Sequence, residues 1–285
     1  MAKNITTDSR RQMKQGRFYQ IDGVGLLPSV TTILKVISKG EALNNWIAKV
    51  EREMVIKVSG DLYEDIAGTA KMSRAAWALT MNNRLGKERA MSREIAKAAE
   101  IGSQVHALIE WTMKAELMHD AGPSPRISDK AQWAFMAWED WRKSVNLKPL
   151  YVEQVVYSTQ YGYAGTLDLL AEVDGVLTVI DWKTGKAVYA EAHLQNAAYR
   201  QAIREMGHGD PQAGLIVRLP KVERDPEFQV VPAKPEPPMF SKFLDAFSVW
   251  KWQEQMDAER EAEKDGEFAP ILRESIAAVE ARRTA

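Results

Sequence analysis

The 285-residue chain is 45% hydrophobic and 27% charged, with a formal net charge of −1, a composition ordinary for a soluble globular protein of one large domain or two small ones. It has no cysteine, which excludes disulfides, thiolate metal sites and cysteine nucleophiles. No run approaches the roughly 20 apolar residues of a membrane span, and Met1-Ala2-Lys3-Asn4 opens no apolar signal core, so a cytoplasmic location is expected.

Residues 1–16 are polar and basic (Arg10, Arg11, Lys14) and read as a loose arm or a helix. Residues 17–27 read as a short hairpin turning at Asp22-Gly23, and 28–37 as a helix capped by Ser29. Helical spacing runs over 41–58, 61–82 and 88–118, the last with Ile95, Ala99, Val105, Leu108, Ile109 and Met113 in its stripe. A Gly122-Pro123-Ser124-Pro125 loop leads to a helix at 128–145 carrying Trp133, Phe135, Trp138 and Trp141. Strands are expected at 151–158, on both sides of Asp174-Gly175, at 213–219 and at 228–231. A helix at 189–206 lies among them. Residues 232–238 are a proline-rich breaker, and helices at 240–262 and about 270–282 close the chain. Helices first, then a sheet with an inserted helix, give an α/β class with a mixed central sheet flanked by helices. The expected organisation is a mainly helical N-terminal region (1–99) packed on a core (100–285).

The hairpin carries the chemistry. Asp-Gly between two β-rich runs is a strong two-residue turn signal. Pairing Val173 with Val176 sets Asp168 opposite Asp181 and Thr166 opposite Lys183, with the three charged groups on one face. Leu167, Leu169, Ala171, Ile180 and Trp182 form the other, apolar face. Opposed carboxylates have Cβ atoms ~5 Å apart and repel, by roughly 3 kcal/mol at an effective dielectric near 20. A proton or a cation relieves that repulsion, and paired hard oxygens suit Mg²⁺ or Mn²⁺. A lysine two residues beyond Asp181 is suited to hold an attacking water or to stabilise developing negative charge. The competing reading is a solvated sheet face on which Lys183 makes a surface ion pair.

Gly165-Thr166-Leu167-Asp168, then Asp181-Trp182-Lys183-Thr184-Gly185, then Gln195 and Tyr199, resemble the RecB-like branch of the PD-(D/E)XK nuclease superfamily. There a G-x-x-D element precedes D-x-K-T-G, and a Q-x-x-x-Y helix follows. Gly102-Ser103-Gln104-Val105-His106-Ala107-Leu108-Ile109-Glu110 resembles the upstream helix whose histidine completes a metal site. Leu27-Pro28-Ser29-Val30-Thr31-Thr32-Ile33-Leu34 is similar to a segment of phage-encoded exonucleases and of the mitochondrial genome maintenance exonuclease. No G-x-x-x-x-G-K-[ST] helicase motif accompanies these elements. The resemblance implies a restriction-endonuclease-like core and a free-standing, metal-dependent deoxyribonuclease of the kind used in DNA recombination and repair. It further implies an exonuclease on single-stranded DNA or DNA ends, in a bacterial or phage-infected host cell. The alternatives are a structure-specific endonuclease of resolvase or restriction type, or a non-catalytic DNA-binding protein that keeps the fold.

On this resemblance His106, Asp168, Asp181 and the Trp182 carbonyl are the metal ligands, and Asp168, Asp181 and Lys183 the catalytic set. Glu153 either supports the metal or Lys183, or is an ordinary exposed strand position. Glu110 either orients His106 or is solvated. The resemblance sets Gln195 and Tyr199, an i, i+4 pair, at the DNA backbone; a polar pair closing the helix on the sheet is the alternative. Lys186 is placed to touch phosphate. A near-neutral chain must meet DNA through local basic patches. Arg84, Lys87, Arg89 and Arg93, just before the His106 helix, are the first choice, ahead of the groups at 10–17 and 218–224. Trp77 and Trp111 either pack in the core or stack on unpaired bases.

Overall fold

The computed structural model describes residues 10–13, 16–37, 40–66, 72–118, 121–220 and 228–264. The expected arm or helix at the start is in part a strand, β1 (Arg10–Met13). It pairs antiparallel with β2 (Gly16–Ile21), which forms the expected Asp22-Gly23 hairpin with β3 (Gly25–Pro28). Ser29 caps the short helix α1 (Val30–Ile33) as expected, its Oγ accepting the Thr32 amide at 3.0 Å. Thr32 Oγ1 in turn accepts the Arg17 amide at 2.9 Å and donates to the Arg17 carbonyl at 3.1 Å. The Leu27-to-Leu34 segment thereby clasps the N-terminal hairpin, and a Ser29–Ala164 bridge joins it to the main sheet.

Helix α2 (Gly40–Ile66) runs through Gly60, where a break was expected. One glycine costs a helix only about 1 kcal/mol. Helix α3 (Arg74–Leu85) follows, then α4 (Ala90–Met118), whose first amides at Ala90 and Met91 donate to the Glu51 carboxylate, a favourable charge at a helix N-terminus. The 99/100 boundary of the expected two regions falls inside α4. Helix α5 (Asp129–Ser144) packs along α4. Of the expected α4 stripe, Val105, Ile109 and Met113 are fully buried while Ile95 is 48% exposed. Only the C-terminal half of α4 therefore lies against the core.

Among the described residues the main sheet has five strands in chain order: β4 (Leu147–Ser158), β5 (Tyr163–Val173), β6 (Val176–Lys183), β7 (Ala213–Arg218) and β8 (Gln229–Pro232). All neighbours are antiparallel except β6 and β7, which are joined through α6 (Ala190–Glu205). The sheet is mixed and flanked by helices, as expected. Helix α7 (Glu236–Lys264) starts inside the supposed proline breaker. Pro237 and Pro238 sit in its first turn, where amides have no helical partner to lose. The helix expected near 270–282 lies outside the described residues. One core gathers α1, α6 and α7 with the sheet; a second gathers α4 and α5. No described helix is long and apolar enough to cross a membrane.

Candidate metal centre

The β5–β6 ladder follows the expected register from Val173–Val176 to Leu169–Ile180 and stops there. Asp168 and Asp181 are thus not a ladder pair. β6 continues against β7 alone, with Lys183 beside Arg218 rather than Thr166. The Trp182 amide donates instead to Asp168 Oδ2 at 2.7 Å. On the other flank of β5 the ladder omits Glu153, whose φ of 50° is uncommon for a non-glycine residue. Side-chain alternation fails at the same place. Leu167 joins Leu170 in the α6–α7 core, while Leu169, Ala171, Ile180 and Trp182 share the α4–α5 core. The expected single apolar face is therefore split at Asp168, which lines a cavity shared with residues of α4 and α6.

Two glycines let helices close on that opening. A Cβ at Gly102 of α4 would lie 2.7 Å from Thr184 Oγ1, and one at Gly165 of β5 would lie 2.5 Å from Tyr199 Cε1 of α6. One turn beyond Gly102, His106 Nδ1 stands 3.9 Å from Asp168 Oδ1. His106, Glu153 and Asp168 each present a ligand atom within 4.8 Å of the others. One imidazole nitrogen with carboxylate oxygens is a donor set that fits a divalent ion such as Mn²⁺ or Mg²⁺. Asp181 stands outside this trio. Its Oδ2 is buried, lacks an aligned hydrogen bond, and lies 2.6 Å from Lys183 Nζ. The set expected from sequence is thus regrouped, with Glu153 beside His106 and Asp168, and Asp181 held by Lys183. The Trp182 backbone also interacts with His106, and the Trp182 ring is wedged edge-on against Trp138 and Trp141.

Burial sets the protonation states. It lowers His106 to about 4, helped by the Lys183 charge. It raises Asp168, against the pull of Lys183 and the Trp182 amide, and raises Asp181 to about 6. Burial alone would lower the Lys183 ammonium, but Asp181 and Asp168 outweigh it and the net shift is upward. The site therefore holds a neutral imidazole, a charged lysine and carboxyls that keep their protons to unusually high pH.

Gln195 and Tyr199 are only 9% and 3% exposed. Lys183 Nζ donates to Gln195 Oε1 at 3.1 Å, and Gln195 Nε2 donates to the Tyr199 hydroxyl at 3.1 Å. Their polar atoms thus form a chain to Lys183, and both residues line the same cavity. Glu110 lines the same cavity but pairs with Lys114, not His106. The cavity, of about 470 Å³, is also lined by Arg17, Tyr19, Ser29 and Thr31 from the N-terminal segment. That wall was not anticipated from sequence, although the clasp residues were. Tyr19 ties it to β5 by a 2.9 Å bond between its hydroxyl and Thr166 Oγ1.

Arg84, Lys87, Arg89 and Arg93 do not line the cavity. Arg84 pairs with Asp65 at 2.6 Å, and Arg93 lies roughly 20 Å along α4 from His106 at 1.5 Å per residue. Lys186 is exposed just beyond β6. Arg218 is fully buried against Gln229, which withdraws it from any surface patch. Lys221 and Arg224 lie outside the described residues. Trp77 and Trp111 are half-buried, and the Trp111 indole donates to the Gly122 carbonyl.

A family model described as the PD-(D/E)XK nuclease superfamily matches residues 124–283. That span holds Glu153, Asp168, Asp181, Lys183, Gln195 and Tyr199. No curated protein matches the chain.

Proposed function

The chain belongs to the PD-(D/E)XK nuclease superfamily, and on that premise we propose that it hydrolyses DNA phosphodiester bonds with Mg²⁺ or Mn²⁺ as cofactor, acting as an exonuclease on single-stranded DNA or DNA ends. The observation that carries this reading is the convergence of His106, Glu153 and Asp168 within 4.8 Å of one another, in the same cavity as the Asp181–Lys183 pair. The likeness of residues 27–34 to phage-encoded exonucleases supports the exonuclease reading and a phage origin.

His106, Glu153 and Asp168 would hold the ion, with Asp181 and the Trp182 carbonyl as further ligands. Bound there, a divalent cation supplies Lewis acidity toward the scissile phosphate and acidifies water. His106 ligates as neutral imidazole, because its pKa near 4 keeps it unprotonated at working pH. Lys183 lines the same cavity, paired with Asp181 and bonded to Gln195. Its ammonium orients the attacking water or steadies charge developing on the phosphate oxygens. Gln195, itself held by Tyr199, fixes where that ammonium sits. Lys186 and the Arg84, Lys87, Arg89 and Arg93 group serve as outlying phosphate contacts.

The test is cleavage of an end-labelled single strand, a linear duplex and a covalently closed single-stranded circle, each with Mg²⁺, Mn²⁺ or EDTA. Metal-dependent loss of linear DNA with the circle left intact is the expected result. Cutting of the circle would replace the exonuclease by an endonuclease, and binding without cleavage under any metal would leave a non-catalytic DNA-binding protein.

A further inference from the structure

Among the described residues two cations line the cavity, Arg17 and Lys183, against four acids, Glu110, Glu153, Asp168 and Asp181. Lys183 is engaged with Asp181 and Gln195. Arg17 is different. Its backbone is fixed on both sides, the amide to Thr32 Oγ1 and the carbonyl to the Ser29 amide at 3.0 Å. Its residue is exposed, and among the described residues its guanidinium has neither an acidic partner nor a hydrogen bond. The hydroxyls on the same wall are already committed. Ser29 Oγ donates to Thr32 Oγ1 and also contacts Thr31 Oγ1 at 3.0 Å, and Tyr19 is bonded to Thr166. Arg17 thus has an anchored backbone and, among the described residues, five guanidinium N–H donors without a partner, set in a cavity whose other walls carry the candidate metal ligands.

Resting on the nuclease reading, we infer that Arg17 binds a backbone phosphate of the strand adjacent to the phosphate under attack, and so sets which linkage enters the metal centre. A planar guanidinium matches two phosphate oxygens at once. A polyanion approaching a cavity in which acids outnumber cations among the described residues is favoured by a fixed positive group besides Lys183. Because the clasp uses only the backbone of Arg17, changing its side chain leaves the clasp intact.

The experiment measures binding of a fluorescent single-stranded oligonucleotide to the full chain in EDTA, as a function of salt, for the parent, Arg17→Ala, Arg17→Gln and Arg17→Lys. Cleavage kinetics with Mn²⁺ run in parallel. Arg17→Ala and Arg17→Gln should each weaken binding about tenfold, as loss of a charge-assisted bond does. They should flatten the slope of log K against log salt by roughly 0.7 for one lost phosphate contact on a single strand. KM should rise by a similar factor, while the single-turnover rate at saturating enzyme stays within a few-fold. Arg17→Lys should restore the salt slope but only part of the affinity. A methylphosphonate scan adds a positional readout. One neutral linkage next to the cut site should weaken the parent as much as Arg17→Ala does, and should not weaken Arg17→Ala further. Unchanged affinity and slope in both neutral variants, with a parent that binds and cuts DNA, would overturn the role of Arg17. A parent that neither binds nor cuts DNA would overturn the nuclease reading itself.

Discussion

The Trp182 amide donates to Asp168 Oδ2 at 2.7 Å just past the last rung of the β5–β6 ladder, so one oxygen of this carboxylate is committed to the backbone. The other, Oδ1, faces His106 at 3.9 Å. A side chain held in this way keeps its ligand atom aimed at the site before any ion arrives, which reduces the ordering that binding would otherwise require.

This separates charge from shape in a test. Asp168→Asn retains an oxygen that accepts the Trp182 amide, so the fold and its melting temperature should change little. Removing the charge should abolish calorimetric Mn²⁺ binding and lower cleavage by at least ~10²–10³-fold. Glu153→Gln should weaken Mn²⁺ binding in the same direction. Parent-like Mn²⁺ affinity in Asp168→Asn would remove this residue from the ligand set.

The hairpin register was legible to the rung because an Asp-Gly turn fixes both loop length and pairing. Where the ladder opens was not. That depends on Glu153 adopting a left-handed backbone, for which glutamate carries no local signal, and on α4 closing against Thr184. The spacing of Gln195 and Tyr199 showed that they share a helix face, but not which way it turns. The missing Cβ of Gly165 decides that by admitting the tyrosine ring against β5. The spacing predicts separate helices at 41–58 and 61–82, whereas α2 continues through Gly60 because a single glycine is a weak stop, costing a helix only about 1 kcal/mol. The buried half of α4 was equally hidden, since Ile95 and Val105 fit one stripe and only the packed sheet distinguishes them.

A second prediction concerns protons. Asp181 titrates near 6 and His106 near 4 in the ion-free protein. A raised carboxyl is protonated below its folded pKa, whereas a lowered imidazole stays neutral above its own. Binding Mn²⁺ at pH 6 should therefore expel about half a proton from Asp181, with an added share from Asp168, whose pKa is also raised, and none from His106. At pH 8 Asp181 is already ionised and its share of the release should fall toward zero. Calorimetry in two buffers of different ionisation enthalpy reads this directly, and Asp181→Asn should remove its share at pH 6. Equal release at both pH values, or release at pH 6 undiminished in Asp181→Asn, would contradict the assignment.

The chain from Tyr199 to Gln195 to Lys183 supports the last prediction. Lys183 Nζ has two partners, Asp181 at 2.6 Å and Gln195 at 3.1 Å. With Asp181 serving as a metal ligand, Gln195 would be the neutral partner that holds the ammonium in place. Lys183→Ala should slow the single-turnover rate at saturating enzyme by ~10²–10³-fold, the cost of losing a positive group aimed at developing charge, while Mn²⁺ and DNA affinity change little. Gln195→Ala removes the positioning bond to Lys183, worth about 1 kcal/mol, together with the bond to the Tyr199 hydroxyl, so its single-turnover rate should fall about three- to tenfold. In the double variant the Gln195 effect should vanish, because a residue acting through Lys183 has nothing left to position. If Gln195 instead touched DNA on its own account, its loss would raise KM and would add to that of Lys183. A Lys183→Ala rate within a few-fold of the parent would reduce the lysine to a counter-ion for Asp181, and would leave the ligand carboxylates and His106 to carry the reaction.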